Sequence, residues 1–165
     1  YVTAVDDFPI AGVSFKDITP MLAEPAAFRH SIDLLAETAR GLGSGKIAAF
    51  DARGFLWAAP LADRLGLPLV PIRKKGKLPR PTASASYQGE YGTETVEVHT
   101  DAIAPGDAVL LVDDVIATGE SMRAGARLVA ELGGTVTGCL AVIELTYLGA
   151  QERLADLRVD TLLRY

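Results

Sequence analysis

Val109-Leu110-Leu111-Val112-Asp113-Asp114-Val115-Ile116-Ala117-Thr118-Gly119-Glu120-Ser121 decides the fold. Four apolar β-formers run into two adjacent carboxylates, a short loop of small residues follows, and a stretch with helical periodicity comes next. That order predicts a strand ending at Val112, a loop, and a helix N-terminus at the carboxyl edge of a sheet, where open α/β sheets bind ligands. Small residues ahead of a helix leave backbone N–H groups facing an anion. Two acids beside them suit sugar hydroxyls or a Mg²⁺ carried by the ligand. An Asp pair at a strand end also serves as a helix cap or turn former, and the loop lacks the G-x-x-x-x-G-K-[ST] spacing of a Walker P-loop. The combination of strand, acid pair and Ala-Thr-Gly loop is what points to a phosphate and a ribose held together.

The flanking chain repeats the alternation of strand and helix. Residues 26–42 predict an amphipathic helix with Phe28, Ile32, Leu35 and Ala39 on one face. Residues 46–50 read as a strand ending at Asp51, 56–65 as a helix closed by Gly66, and 69–73 as a second strand. Residues 95–99 alternate and pair within a β excursion. A helix with Met122, Gly125, Ala126, Val129 and Leu132 inward precedes a strand over 136–145, and 161–164 read as a last strand. Residues 1–20, with Pro9, Gly12 and Pro20, read as irregular. The class is therefore α/β, a mostly parallel central sheet flanked by helices. Parallel strands bring three polar strand ends to one edge: Asp51-Ala52-Arg53-Gly54, Arg73-Lys74-Lys75-Gly76-Lys77 and Asp113-Asp114.

Composition narrows the classes. The 165 residues suffice for one well-buried domain, and 49% apolar with 22% charged residues is globular rather than disordered. No apolar run approaches the ~20 residues of a membrane helix, and no signal-peptide pattern is visible. A net charge of −5 offers nucleic acid no global attraction. The single Cys139 excludes an internal disulfide and fits a reducing cytosol. His30 and His99 stand far apart without further ligands, so a His/Cys metal site is not expected. Arg73, Lys74, Lys75, Lys77 and Arg80 crowd one segment of this acidic chain, either as a solvated run or for a local, highly anionic ligand.

Several segments resemble one family. Phe8-Pro9-Ile10-Ala11-Gly12-Val13-Ser14-Phe15-Lys16-Asp17-Ile18 is similar to the base-binding hood of adenine phosphoribosyltransferases, within the type I phosphoribosyltransferases. Asp51-Ala52-Arg53-Gly54-Phe55 resembles their pyrophosphate loop. Ile72-Arg73-Lys74-Lys75-Gly76-Lys77-Leu78-Pro79 and Ser86-Tyr87-Gln88-Gly89-Glu90-Tyr91-Gly92 resemble their strand end and mobile catalytic loop. Glu144-Leu145-Thr146 and Leu162-Leu163-Arg164-Tyr165 also fit, so the resemblance spans nearly the whole chain.

The resemblance implies one domain over 1–165, with a hood at about 1–25 and a mobile loop and β excursion at about 78–100. It implies transfer of a 5-phosphoribosyl group from phosphoribosyl pyrophosphate (PRPP) to adenine. Mg²⁺ carried by PRPP, no direct protein metal ligand, a cytoplasmic setting and a homodimer are implied too. Glu90 and Arg53 are the implied catalytic groups. Arg53, Lys74, Lys77, Tyr91, Asp113, Asp114, Ala117, Thr118, Gly119, Glu120 and Ser121 are the implied PRPP contacts, with Asp113 and Asp114 meeting Mg²⁺ through water. Ser14, Phe15, Lys16 and Leu145 are implied at adenine, Phe15 and Leu145 by stacking. A transferase for another purine base and a non-catalytic PRPP-binding regulator are the alternatives.

Glu120 departs from the resemblance, since the adenine enzymes usually carry a second glycine there. A carboxylate beside a bound 5′-phosphate is unfavourable unless it points away. Lys16 stands where the family often has Arg. Trp57, inside a predicted helix, reads as packing.

Overall fold

The computed structural model describes residues 1–89 and 92–165, in two compact units, Tyr1–Leu34 and Leu35–Tyr165. In the first unit, β1 (Thr3–Asp6) and β2 (Ser14–Asp17) pair antiparallel, and α1 (Thr19–Ala23) follows. The expectation of irregular chain over 1–20 is corrected here. Gly12 takes the positive φ of +85° that the turn requires. Pro20 stands in the first turn of α1, where a missing N–H costs nothing. Pro25 opens α2 (Pro25–Arg40), which runs on across the unit boundary.

The second unit holds β3 (Lys46–Phe50), α3 (Gly54–Leu65), β4 (Leu69–Lys74), β5 (Thr82–Gly89), β6 (Gly92–His99), β7 (Ala108–Ile116), α4 (Glu120–Glu131), β8 (Thr135–Glu144), α5 (Ala150–Arg153) and β9 (Val159–Arg164). The sheet order is β5-β6-β4-β3-β7-β8-β9. Five neighbouring strands, β4 to β9 in that order, are parallel, and β6 and β5 extend one edge antiparallel. Strands buried on both faces read as unbroken apolar runs. Ile47 to Phe50 and Val109 to Val112 are such runs, buried throughout.

The packing of α4 explains its sequence. Met122, Ala124, Leu128 and Val129 bury against Phe50, Ile72, Leu111 and Cys139 of the sheet. Gly125 lets the helix approach, because a Cβ there would lie 2.6 Å from Phe50 Cζ. Trp57 on α3 is fully buried. Gly66 closes α3 in the left-handed region at φ +65°, donating its N–H to the last-turn carbonyls.

One boundary is corrected. The strand does not end at Val112; β7 runs through the acid pair to Ile116, because Val115 pairs with Ile143 and Ile116 with Glu144 of β8. A parallel neighbour and two β-branched residues outweigh the low strand propensity of aspartate.

Candidate active site

The chain leaves β3 toward β4 on one side and later fills β7, β8 and β9 on the other, so strand order reverses between β3 and β7. A crevice at the carboxyl ends of such strands is where doubly wound sheets bind ligands. Two loop-helix connections open there, Asp51 to Gly54 after β3 and Ala117 to Gly119 after β7.

Arg53 and the acid pair meet in that crevice. Arg53 Nε donates to Asp114 Oδ2 at 2.5 Å, and Asp114 is only 4% exposed. The guanidinium thus contacts the acid pair directly. Alternation along β7 puts Asp113 on the face of Val109 and Leu111 and Asp114 on the opposite face. Asp113 Oδ1 accepts the Asp114 N–H at 2.8 Å. Burial, and then the charge of Asp114, push the Asp113 carboxyl well above the ordinary carboxylate range. Gly54 makes this closeness possible, since a Cβ on it would stand 2.8 Å from Asp113 Oδ1 and 3.2 Å from Asp113 Cα. The Asp51–Ala52 peptide is cis.

The basic segment at the end of β4 divides into paired and exposed charges. Arg73 donates from Nε to Asp51 Oδ2 at 3.0 Å and from Nη1 to the Lys77 carbonyl at 3.4 Å. It ties two loops together. Lys74 Nζ stands 4.0 Å from Glu94 Oε2, and the Lys77 side chain is exposed. Arg80 pairs with Asp101, and Lys75 is exposed. β4 and β7 are two strand spacings apart, so Lys74 and the acid pair sit about 10 Å apart across the edge.

The loop after β7 ends on Gly119 at φ +81°, and α4 begins at Glu120. Ala117, Thr118, Gly119, Glu120 and Ser121 therefore form one turn into a twelve-residue helix, whose first N–H groups face the crevice end of the sheet. Glu120 Oε1 pairs with Arg153 Nε at 2.9 Å, and Arg153 Nη1 donates to the Thr118 carbonyl.

The residues expected at adenine fall on both units, each described by itself. Ser14, Phe15 and Lys16 lie half-buried on β2 of the first unit, where Lys16 Nζ donates to Ser14 Oγ at 3.2 Å and Phe15 meets Phe8 edge-on at 5.3 Å. Leu145 lies half-buried after β8 in the second unit, its N–H on the Ile116 carbonyl at 2.9 Å. Glu90 and Tyr91 lie outside the described residues. Among the described residues no group of three or more His, Cys, Asp or Glu converges as a metal site, and no helix is long and apolar enough to cross a membrane.

Residues 18–160 match the model of the phosphoribosyl transferase domain family. The chain is 55% identical over 163 residues to the adenine phosphoribosyltransferase of Frankia casuarinae, covering 99% of this chain and 87% of that one. The chain belongs to the adenine phosphoribosyltransferase family. The crystal structure of the family member from Thermoanaerobacter pseudethanolicus superposes with a TM-score of 0.96 at 45% identity, over 99% of this chain and 95% of that one. The member from Saccharomyces cerevisiae, solved with an imino-altritol bisphosphate and adenine, gives 0.91 at 36% identity, over 98% and 94%.

Within this adenine phosphoribosyltransferase fold, sequence reading passed over three side chains. Tyr87 donates its hydroxyl to Glu94 Oε2 at 3.0 Å beside Asp113; burial, and then that bond, push its phenol upward. Its inward place in the alternation Ala83, Ala85, Tyr87 was the available signal. Asp51 was read as a strand end and part of the pyrophosphate-loop segment, but not as the partner of Arg73. Arg153 carried no signal, because its partners Thr118 and Glu120 are more than thirty residues away.

Proposed function

We propose that this chain transfers the 5-phosphoribosyl group of PRPP to adenine, giving AMP and pyrophosphate. The observation that carries the reading is the convergence of Arg53, Asp113, Asp114 and the 117–121 loop at the reversal of strand order. Family membership and the adenine-bound yeast relative support the choice of base.

Breaking the C1–O bond of PRPP leaves positive charge on the ribose and negative charge on the departing pyrophosphate. Preorganised cations at the leaving group are a large catalytic contribution. Arg53, Lys74 and Lys77 are assigned to the pyrophosphate, with Arg53 exchanging Asp114 for phosphate oxygens. The N–H groups of 117–121 and the Ser121 hydroxyl are assigned to the 5′-phosphate, and Asp113 and Asp114 to the ribose hydroxyls. Glu90 is assigned the proton that the attacking ring nitrogen of adenine loses, and Tyr91 is assigned to PRPP. Ser14, Phe15, Lys16 and Leu145 are assigned to the purine.

The donor set fits a Mg²⁺ that arrives with PRPP. Asp113 and Asp114 are hard oxygen donors, and with no group of three or more His, Cys, Asp or Glu converging among the described residues they suit an ion that keeps its waters and its phosphates. They would hold it through water, and it would supply charge neutralisation on the pyrophosphate. A homodimer and a cytoplasmic setting belong to the same proposal.

AMP formation from PRPP with adenine, hypoxanthine or guanine tests it. The expected result is a kcat/KM for adenine far above both oxopurines. A folded protein that prefers an oxopurine overturns the assignment. Glu90→Gln should lower kcat by ~10²-fold or more while PRPP affinity holds. Equal kcat in the two proteins removes Glu90 from the chemistry.

A further inference from the structure

Glu120 puts a negative charge at the first residue of α4, where the helix dipole favours it and a substrate phosphate does not. The structure supplies the compensation from a distant segment. Arg153, the last residue of α5, pairs with Glu120 at 2.9 Å and donates to the Thr118 carbonyl. The α5 segment also packs under the loop. A Cβ on Gly119 would stand 3.2 Å from Leu154 Cδ1 and 3.3 Å from Ala150 Cβ. Arg123 fixes the segment from the other side, bonding the Arg153 carbonyl and the Asp156 carboxylate. One guanidinium thus reads both the shape of the loop and its unusual charge.

We infer that Arg153 is a positioning residue for the phosphate loop. It holds the Thr118 carbonyl turned away from the anion and offsets the charge of Glu120, so that the loop takes PRPP despite a carboxylate at its rim. This rests on reading 117–121 as the cradle of the 5′-phosphate. With both side chains partly exposed, a charge ~8 Å from the phosphate at an effective dielectric of ~40 changes affinity by roughly five-fold.

The test is PRPP affinity of the full chain, by titration calorimetry at low and high salt, beside adenine KM and thermal midpoint. Arg153→Gln should weaken PRPP about five-fold at low salt, with most of that loss gone at high salt. Adding Glu120→Gln should return affinity to within about two-fold of the starting protein, and Arg153→Lys should lose less than Arg153→Gln. Adenine KM should hold throughout. A double variant as weak as Arg153→Gln, or a salt-independent loss, overturns the charge offset and leaves only a structural brace. Ser121→Asp is the control for the underlying reading, since a carboxylate inside the cradle should weaken PRPP strongly. If Ser121→Asp binds PRPP normally, the cradle reading falls and the role of Arg153 falls with it. If Ser121→Asp binds poorly while Arg153→Gln binds normally, the inference about Arg153 alone is wrong.

Discussion

Asp113 and Asp114 are chemically identical neighbours placed in opposite circumstances. Asp114 has the Arg53 guanidinium at 2.5 Å, whereas Asp113 faces burial and the charge of Asp114. A carboxyl held above its unfolded value contributes stability that is fully present below that value, about 4, and lost as pH rises through the folded value. Asp113→Asn removes the ionisation. The thermal midpoint of Asp113→Asn should therefore gain on the parent as pH rises from about 4 toward neutrality, with little difference at lower pH. PRPP affinity should fall by about tenfold or more, because an amide NH₂ cannot accept from a ribose hydroxyl as the carboxylate does. A constant midpoint difference across that pH range would show that Asp113 carries no unfavourable charge in the fold. The expected trade of stability for binding is common where a site holds like charges together.

At the scale of elements, α4 and β3 meet with no spare volume. Gly125→Ala should raise helix propensity by about 1 kcal/mol yet place a methyl 2.6 Å from the buried Phe50 ring. Overpacking typically costs 1–3 kcal/mol, so the packing loss should outweigh the propensity gain. Denaturant midpoints should fall in Gly125→Ala and partly recover when Phe50→Leu is added. A more stable Gly125→Ala would mean the ring moves aside freely. The same elements show what the chain makes legible. Residues 46–50 carry a dense apolar signal, and β3 has those bounds. Gly66 marks the end of α3 as a C-cap glycine should. β7 was read four residues short at its carboxyl end, because local propensity stops at Asp113 while pairing with β8 carries it to Ile116. The β1–β2 hairpin was missed because its strands are four residues long and β1 is exposed throughout, leaving no buried face to imprint a period. Arg53, Asp113 and Asp114 were legible because a strand end and a motif flank them. The Arg153 contact was not, since tertiary packing alone creates it.

For the second unit as a whole, Cys139 is an internal reporter. It lies fully buried on β8 between β7 and β9, and burial pushes its thiol up to about 12, with Arg123 opposing and Asp156 adding to the rise. A thiol reagent needs the thiolate and access, so labelling of Cys139 requires the sheet to open and restore an ordinary thiol. When opening and reclosing are fast relative to labelling, the rate follows the equilibrium population of the open state. A ligand that binds only the closed state lowers that population by the factor 1 + [L]/Kd, about a hundredfold at 100 Kd. PRPP at that level should therefore slow labelling about a hundredfold. In Arg53→Ala the same PRPP concentration should protect far less, because a phosphate loses its guanidinium partner. Two results would count against this picture. Rapid labelling of the native protein would mean that the β8–β9 side opens by itself, in a local motion of low cost. Slow labelling that PRPP leaves unchanged would mean that the opening which exposes Cys139 spares the crevice between β3 and β7. Protection by PRPP in the parent chain, lost in Arg53→Ala, would instead tie the stability of the sheet to the occupancy of its carboxyl edge.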